Sequence, residues 1–152
     1  MTQSTKEETG NFQELTDEIK EYDSVFISGL AMDFQNASKS ERTKIENKWI
    51  EALPKMRNIK HLTLRYRVNE AFFNAICEME QLETLSIWSC SVESLNQIKK
   101  LKSLKHLNIE AFTKLKDISC LTSLPLLEKL SIEKCFKIEN YAIIGNLKNL
   151  TA

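Results

Sequence analysis

Glycine and proline are scarce in this chain of 152 residues, at three and two. With only Gly10, Gly29 and Gly145 available, no glycine-rich phosphate loop can be assembled. Neither sign of charge is in excess: 21 basic side chains face 21 acidic ones, a net charge of zero that argues against a general nucleic-acid or polyanion binder. No apolar run approaches the roughly 18 residues of a membrane span, and the opening MTQSTKEETGNFQE lacks the basic-then-apolar layout of a signal peptide. The expected compartment is therefore the cytoplasm, with no membrane partner. Cys77, Cys90, Cys120 and Cys135 show no C-x2-C spacing, so neither a zinc ribbon nor a redox pair is signalled. Reduced, structural thiols are the economical reading, and no histidine is placed to activate Cys77 or Cys120 as a nucleophile. What is present in quantity is apolar side chain, 42% of the residues, enough for one folded domain with a sizeable core.

Those apolar residues repeat. IKHLTL from Ile59, LETLSI from Leu82, LKHLNI from Leu104 and LEKLSI from Leu127 share the pattern L-x-x-L-x-L at a period of 22 or 23 residues, and Leu150 opens another. Nine, six and three residues before each segment stand Ile50/Leu53/Met56, Phe73/Ile76/Met79, Leu95/Ile98/Leu101, Ile118/Leu121/Leu124 and Tyr141/Ile144/Leu147, all apolar. A spacing of three suits one face of a short α- or 3-10-helical segment, whereas L-x-L has the period of two of a strand. Each unit is thus a strand, a turn and a helical return. One unit cannot bury its own apolar edge, so units must stack, strands side by side at roughly 4.8 Å, into an α/β solenoid.

This pattern resembles the leucine-rich repeat family from about Tyr22 onward. The resemblance implies a right-handed solenoid with a curved parallel sheet on its concave side and helices or 3-10 segments on its convex side. The ninth position of the family pattern carries Asn or Cys, which hydrogen-bonds the neighbouring turn. Here it is Arg67, Cys90, Phe112 and Cys135. Cys90 and Cys135 look like family-type structural residues; Arg67 and Phe112 depart from the pattern. LSIWSCSVESL and LSIEKCFKIEN are similar to the cysteine-containing subfamily of ubiquitin-ligase adaptors, but units of 22 or 23 residues with LKDISCLTSL are closer to the short bacterial, internalin-like type.

At the start, YDSVFI from Tyr22 is a degenerate strand segment opening a longer first unit, residues 22–58. Ser38-x-x-Glu41 is a capping-box match, and Ile45, Trp49, Ile50, Leu53 and Met56 continue at helical spacing, which predicts a helix over Ser40 to Leu53. Phe12, Leu15, Ile19 and Tyr22 predict a second amphipathic helix, residues 10–21, capping the N-terminal end, with residues 1–9 disordered. Repeats follow at 59–81, 82–103, 104–126 and 127–149, and residues 150–152 open an incomplete unit. An unpaired strand edge there invites pairing. A longer array, end-to-end self-association and completion by a partner would each satisfy it.

On the strands, positions three, five and seven project from the concave sheet. Position three carries His61, Thr84, His106 and Lys129, and position five Thr63, Ser86, Asn108 and Ser131. Position seven runs from basic Arg65 through aromatic Trp88 to acidic Glu110 and Glu133, with Tyr66 at position eight. A large indole projecting from a solvated sheet is costly, and Trp, Tyr and Arg are enriched at binding hot spots. Trp88 with Arg65 and Tyr66 is therefore the expected partner-binding centre, and His61, His106, Glu110 and Glu133 complete the face. The competing reading has Trp88 merely covering the stems of Arg65 and Glu110, or packing on a C-terminal extension.

His61 and His106 fall two units apart, roughly 10 Å by strand spacing, which is too far for one zinc ion to hold both easily. Cys90 and Cys135 are likewise beyond the roughly 7 Å α-carbon limit of a disulfide. Lys99, Lys100, Lys102 and Lys105 read as a solvated face rather than a nucleic-acid site. No metal or cofactor is expected. The function these features imply is non-catalytic recognition of a protein across the concave face. The alternatives are a structural or assembly module working through its C-terminal edge and, from the resemblance, a bacterial immunity or effector-associated protein.

Overall fold

The computed structural model describes residues 9–12, 15–28 and 38–151. Six strands, β1 (Gly10–Phe12), β2 (Ser24–Ile27), β3 (His61–Val68), β4 (Thr84–Cys90), β5 (His106–Glu110) and β6 (Lys129–Glu133), form one parallel sheet in chain order. Between successive strands lie a 3-10 turn at Asp17–Glu21, α1 (Lys39–Ala52), α2 (Glu70–Cys77) and 3-10 turns at Asn96–Lys100 and Ser119–Ser123, and a further 3-10 turn at Ala142–Asn146 follows β6. This is the α/β solenoid that the two interleaved apolar periods require.

The register is regular. The backbone N–H of the second residue of a unit donates to the carbonyl of its counterpart one coil earlier: Lys60 to Asp23 at 2.7 Å, Glu83 to Lys60 at 2.8 Å, Lys105 to Glu83 at 2.9 Å, Glu128 to Lys105 at 2.8 Å and Thr151 to Glu128 at 2.9 Å. Inward-pointing pairs such as Val25/Ile27, Leu62/Leu64, Leu85/Ile87 and Leu107/Ile109 meet the helical ladder of Phe73, Ile76, Met79, Leu95, Ile98, Leu101, Ile118, Leu121 and Leu124 in a single buried core. The ladder thins at the C-terminal end, where Leu130, Ile132, Ile144 and Leu147 are only partly buried and Tyr141 is 46% exposed.

The first long helix starts as the capping box dictates. Ser38 Oγ accepts from Glu41 N–H at 3.3 Å, and Glu41 Oε2 accepts from Ser38 N–H at 2.8 Å, so the first turn's orphan donors are satisfied reciprocally. Helix α1 spans Lys39–Ala52 rather than 40–53 and anchors to the core through Trp49, which is fully enclosed.

The expected helical cap over residues 10–21 is corrected. Gly10–Phe12 is strand β1, paired in parallel with Val25–Ile27, and the 3-10 turn Asp17–Glu21 returns to β2 with Ile19 fully buried. The segment is a shortened coil of the array itself. Apolar residues three and four apart over so short a stretch suit a 3-10 return as well as an α-helix, and pairing with β2 satisfies main-chain groups that an end-on helix would leave to water. The expected disorder falls on residues 1–8, outside the described residues; Thr9 is described, its hydroxyl 3.0 Å from that of Ser24.

Candidate functional site on the concave sheet

The departure at Arg67 has a structural answer. Between Leu64↔Ile87 and Arg67↔Ser89 the register shifts, so that Arg65 and Tyr66 together oppose Trp88 in a β-bulge. The extra residue moves the inward position from Arg67, which is exposed, to Val68, which is fully buried and pairs with Cys90. Phe112 bridges Cys90 on the next coil and is also fully buried, its ring edge-on to Phe73 at 6.4 Å between centroids. The inward column after the strands is therefore Val68, Cys90, Phe112 and Cys135, all buried. Ala111 and Lys134, at position eight, take φ of 52° and 53°, the left-handed turn that aims the following residue inward.

The bulge also divides the expected hot spot. Tyr66 is turned away from the sheet surface and packs edge-on against Phe72 at 5.3 Å, with its hydroxyl enclosed and without a partner among the described residues. Burial, reinforced by the nearby Glu46 carboxylate and Cys90, pushes the phenol well above its usual range. Arg65 stays outside. Its guanidinium lies over the Trp88 ring, Cζ 3.7 Å from the centroid, and 5.8 Å from the ring of Phe26 on β2. Trp88 is 43% exposed, so the indole is on the outer surface as its position in the repeat predicts. Phe26 sits at position five of YDSVFI, in the column of Thr63 and Ser86, within a unit too degenerate to declare that column from sequence.

The rest of the face is polar and small. His61 Nδ1 lies 3.0 Å from Thr84 Oγ1, and Asn108 Nδ2 donates to Ser86 Oγ at 3.2 Å. A shallow depression of about 260 Å³ lies over Thr84, His106, Asn108, Lys129 and Ser131. Thr84 on β4 separates His61 from His106 in the register, so the two imidazoles are not neighbours. Glu110 pairs with the ammonium of Lys134, and Glu133 accepts from Ser131 Oγ at 3.4 Å. The two glutamates thus lie at the C-terminal end of the sheet and Arg65 with Trp88 nearer its N-terminal end, on adjacent strands, with no single pocket joining them.

Away from the face, Lys100 and Lys105 of the lysine cluster pair with carboxylates of the preceding coil. Lys105 reaches Glu83 at 2.7 Å, Lys60 reaches the same carboxylate at 3.5 Å, Lys100 pairs with Glu78, and Lys102 donates to the Ser123 carbonyl at 3.0 Å. The hydrogen bond from Lys105, more than its charge, holds the Glu83 carboxyl below its usual range, and the same bond raises Lys105. All four cysteines are buried and unbridged. Burial pushes the thiols of Cys77, Cys90 and Cys120 up to about 12, 11 and 11, so they are protonated at neutral pH, and the thiolate that nucleophilic chemistry needs is suppressed. The groups this surface presents are a guanidinium over an indole, hydrogen-bonding side chains and carboxylates.

Comparison with known proteins agrees with that architecture. A family model described as R13L1/DRL21 LRRs matches residues 18–112. No curated protein matches the chain. Among solved structures, internalin C2 from Listeria monocytogenes is 24% identical with a TM-score of 0.52 over 64% of this chain and 42% of its own. An internalin (inlF) from the same organism is 15% identical with a TM-score of 0.60 over 91% of this chain and 43% of its own. The chain spans less than half the length of either internalin, and at these identities the likeness is one of fold.

Proposed function

Because this chain belongs to the leucine-rich repeat family, on a model of the R13L1/DRL21 type that matches most of its length, we propose that it is a non-catalytic protein-binding module whose partner docks across the concave sheet. Domains of this class commonly serve protein–protein interaction; the choice of face rests on one observation, an indole 43% exposed beside a column of small polar side chains, Thr63, Ser86, Asn108 and Ser131, with a guanidinium over it. Trp and Arg are enriched at binding hot spots, the indole through a large, rigid contact area and the guanidinium through its planar fork of donors. Arg65 and Trp88 form the centre of the proposed site, His61 and His106 its flank, and Glu110 and Glu133 its acidic end. Tyr66 supports the site from within, through the bulge, without touching the partner. The proposed setting is the cytoplasm, where four unbridged thiols persist.

The test is co-purification from native cells with the wild type beside Arg65→Ala/Trp88→Ala. A hot-spot pair contributes 2 kcal/mol or more, about thirtyfold in affinity, so the partner present with the wild type should be lost from the double variant. Equal recovery of the partner would reject the concave site.

A second reading uses the C-terminal edge as an assembly surface. It is favoured by Phe136, 90% exposed, together with Leu126 and Tyr141, each 46% exposed, beside strand β6, the last in the sheet order. Self-association would appear in sedimentation velocity as a mass rising with concentration, reduced by Phe136→Ser; a constant monomer mass would dismiss it.

A further inference from the structure

We infer that Arg65 is a carboxylate receptor, and that the concave face takes a mixed-charge segment of a partner protein, with an apolar residue beside its Asp or Glu and a Lys or Arg about four residues further on; this rests on the concave-face reading and specifies its chemistry. Three features of the site converge on that ligand.

The first is an unmatched charge. Among the described residues Arg65 has no carboxylate partner, whereas Glu110 on the same column is held by Lys134, Glu78 by Lys100, and Glu83 by Lys60 and Lys105 at the entrance to the strands. The guanidinium is exposed, so its donors are open to a carboxylate that a partner brings.

The second is preorganisation. Stacking on Trp88 at 3.7 Å, with Phe26 at 5.8 Å, fixes the guanidinium plane and occupies its face. Its N–H donors lie in the plane, so they remain at the edge, where they match the two oxygens of a carboxylate. A long side chain already fixed forfeits less rotamer entropy on binding. An apolar partner residue next to the carboxylate would cover the exposed part of the indole and exclude water from the pair.

The third is the charge layout of the column. Glu133 is exposed at the opposite end, three strands from Arg65 along β3, β4, β5 and β6. Three spacings of roughly 4.8 Å make about 14 Å, which an extended chain covers in about four residues. A segment crossing the strands would therefore carry Asp or Glu at Arg65 and Lys or Arg about four residues further on, at Glu133. The Glu133 carboxylate repels a uniformly anionic ligand, which favours a mixed-charge peptide over a polyanion.

The probe is a displayed library of random peptides selected on the immobilised full chain and counter-selected on Trp88→Ala. Enriched peptides should share an acidic residue with a basic one about four positions away. They should weaken about tenfold or more on Arg65→Gln, and also on Arg65→Lys, which keeps the charge but loses the planar fork. Peptides with the acidic residue changed to Lys should regain binding to Arg65→Glu. Unchanged melting curves for the variants separate lost recognition from lost folding. Peptides that depend on Trp88 yet lack an acid, or that bind Arg65→Gln as tightly as wild type, would overturn the carboxylate assignment and leave the concave-face reading standing. Failure to enrich any Trp88-dependent peptide would overturn both.

Discussion

The bulge in β3 makes a prediction that opposes neighbouring residues. By the repeat pattern the inward residue is Arg67; by the structure it is Val68, fully buried against Cys90 on the next coil, while Arg67 is exposed. Val68→Ala removes two buried methyl groups at about 0.8 kcal/mol each, and the cavity left in a packed coil raises the loss to roughly 2–3 kcal/mol. Arg67→Ala removes an exposed side chain and should stay within about 0.5 kcal/mol. At about 2–4 °C per kcal/mol for a domain of this size, Val68→Ala lowers Tm by roughly 4–12 °C and Arg67→Ala by less than about 2 °C. Thermal and urea unfolding followed by far-UV circular dichroism measure both. If Arg67→Ala costs as much as Val68→Ala, the residue opposite Cys90 is 67, the bulge is absent, and the placement of Tyr66 and Arg65 derived from it fails.

Three further outcomes follow from the coil interior and its turns. Phe112→Ala should destabilise by about 3–5 kcal/mol, and a double-mutant cycle with Phe73→Ala should return a coupling of about 0.5–1.5 kcal/mol from the edge-on rings; additive effects would place the rings out of contact. Ala111→Gly should raise stability by up to about 1 kcal/mol, since a non-glycine residue at φ 52° carries strain that exceeds the entropy glycine loses on folding; a lowered Tm would refute the left-handed turn. The buried Cys77 thiol, raised to about 12 from 9.0, keeps its proton in the folded chain while the unfolded chain begins to release it near pH 9. Its contribution is complete below that pH and declines as pH climbs toward 12, by at most about 1.4 kcal/mol per pH unit. Urea midpoints should fall between about pH 8 and about pH 10, and less so in Cys77→Ala; identical slopes would mean that the thiol is solvated.

The repeat was legible because two periods, two residues along the strand and three along the return, are written in the same apolar alphabet and interlock at 22 or 23 residues. The outward direction of Trp88 follows from that frame alone, and so does the start of α1 from Ser38 and Glu41. Tyr66 was misplaced because a one-residue bulge inverts every direction after it, and its signal was only that an arginine stands where an inward residue belongs with a valine one place later. Strand β1 was hidden because three residues are too few to declare a period. Phe26 escaped because its unit is degenerate. The nearness of Arg65 to Trp88 follows from their shared column on adjacent strands; the 3.7 Å placement of the guanidinium over the indole does not.

The chain has two tryptophans, Trp49 fully enclosed beneath α1 and Trp88 exposed on the sheet, and they offer the most direct test of the stacked-coil arrangement. Acrylamide quenching of Trp49→Phe reports Trp88 alone, and quenching of Trp88→Phe reports Trp49 alone. The predicted result is red-shifted, readily quenched emission in the first and blue-shifted, protected emission in the second. Equal protection of both indoles would put Trp88 inside the fold and remove the surface on which recognition is proposed.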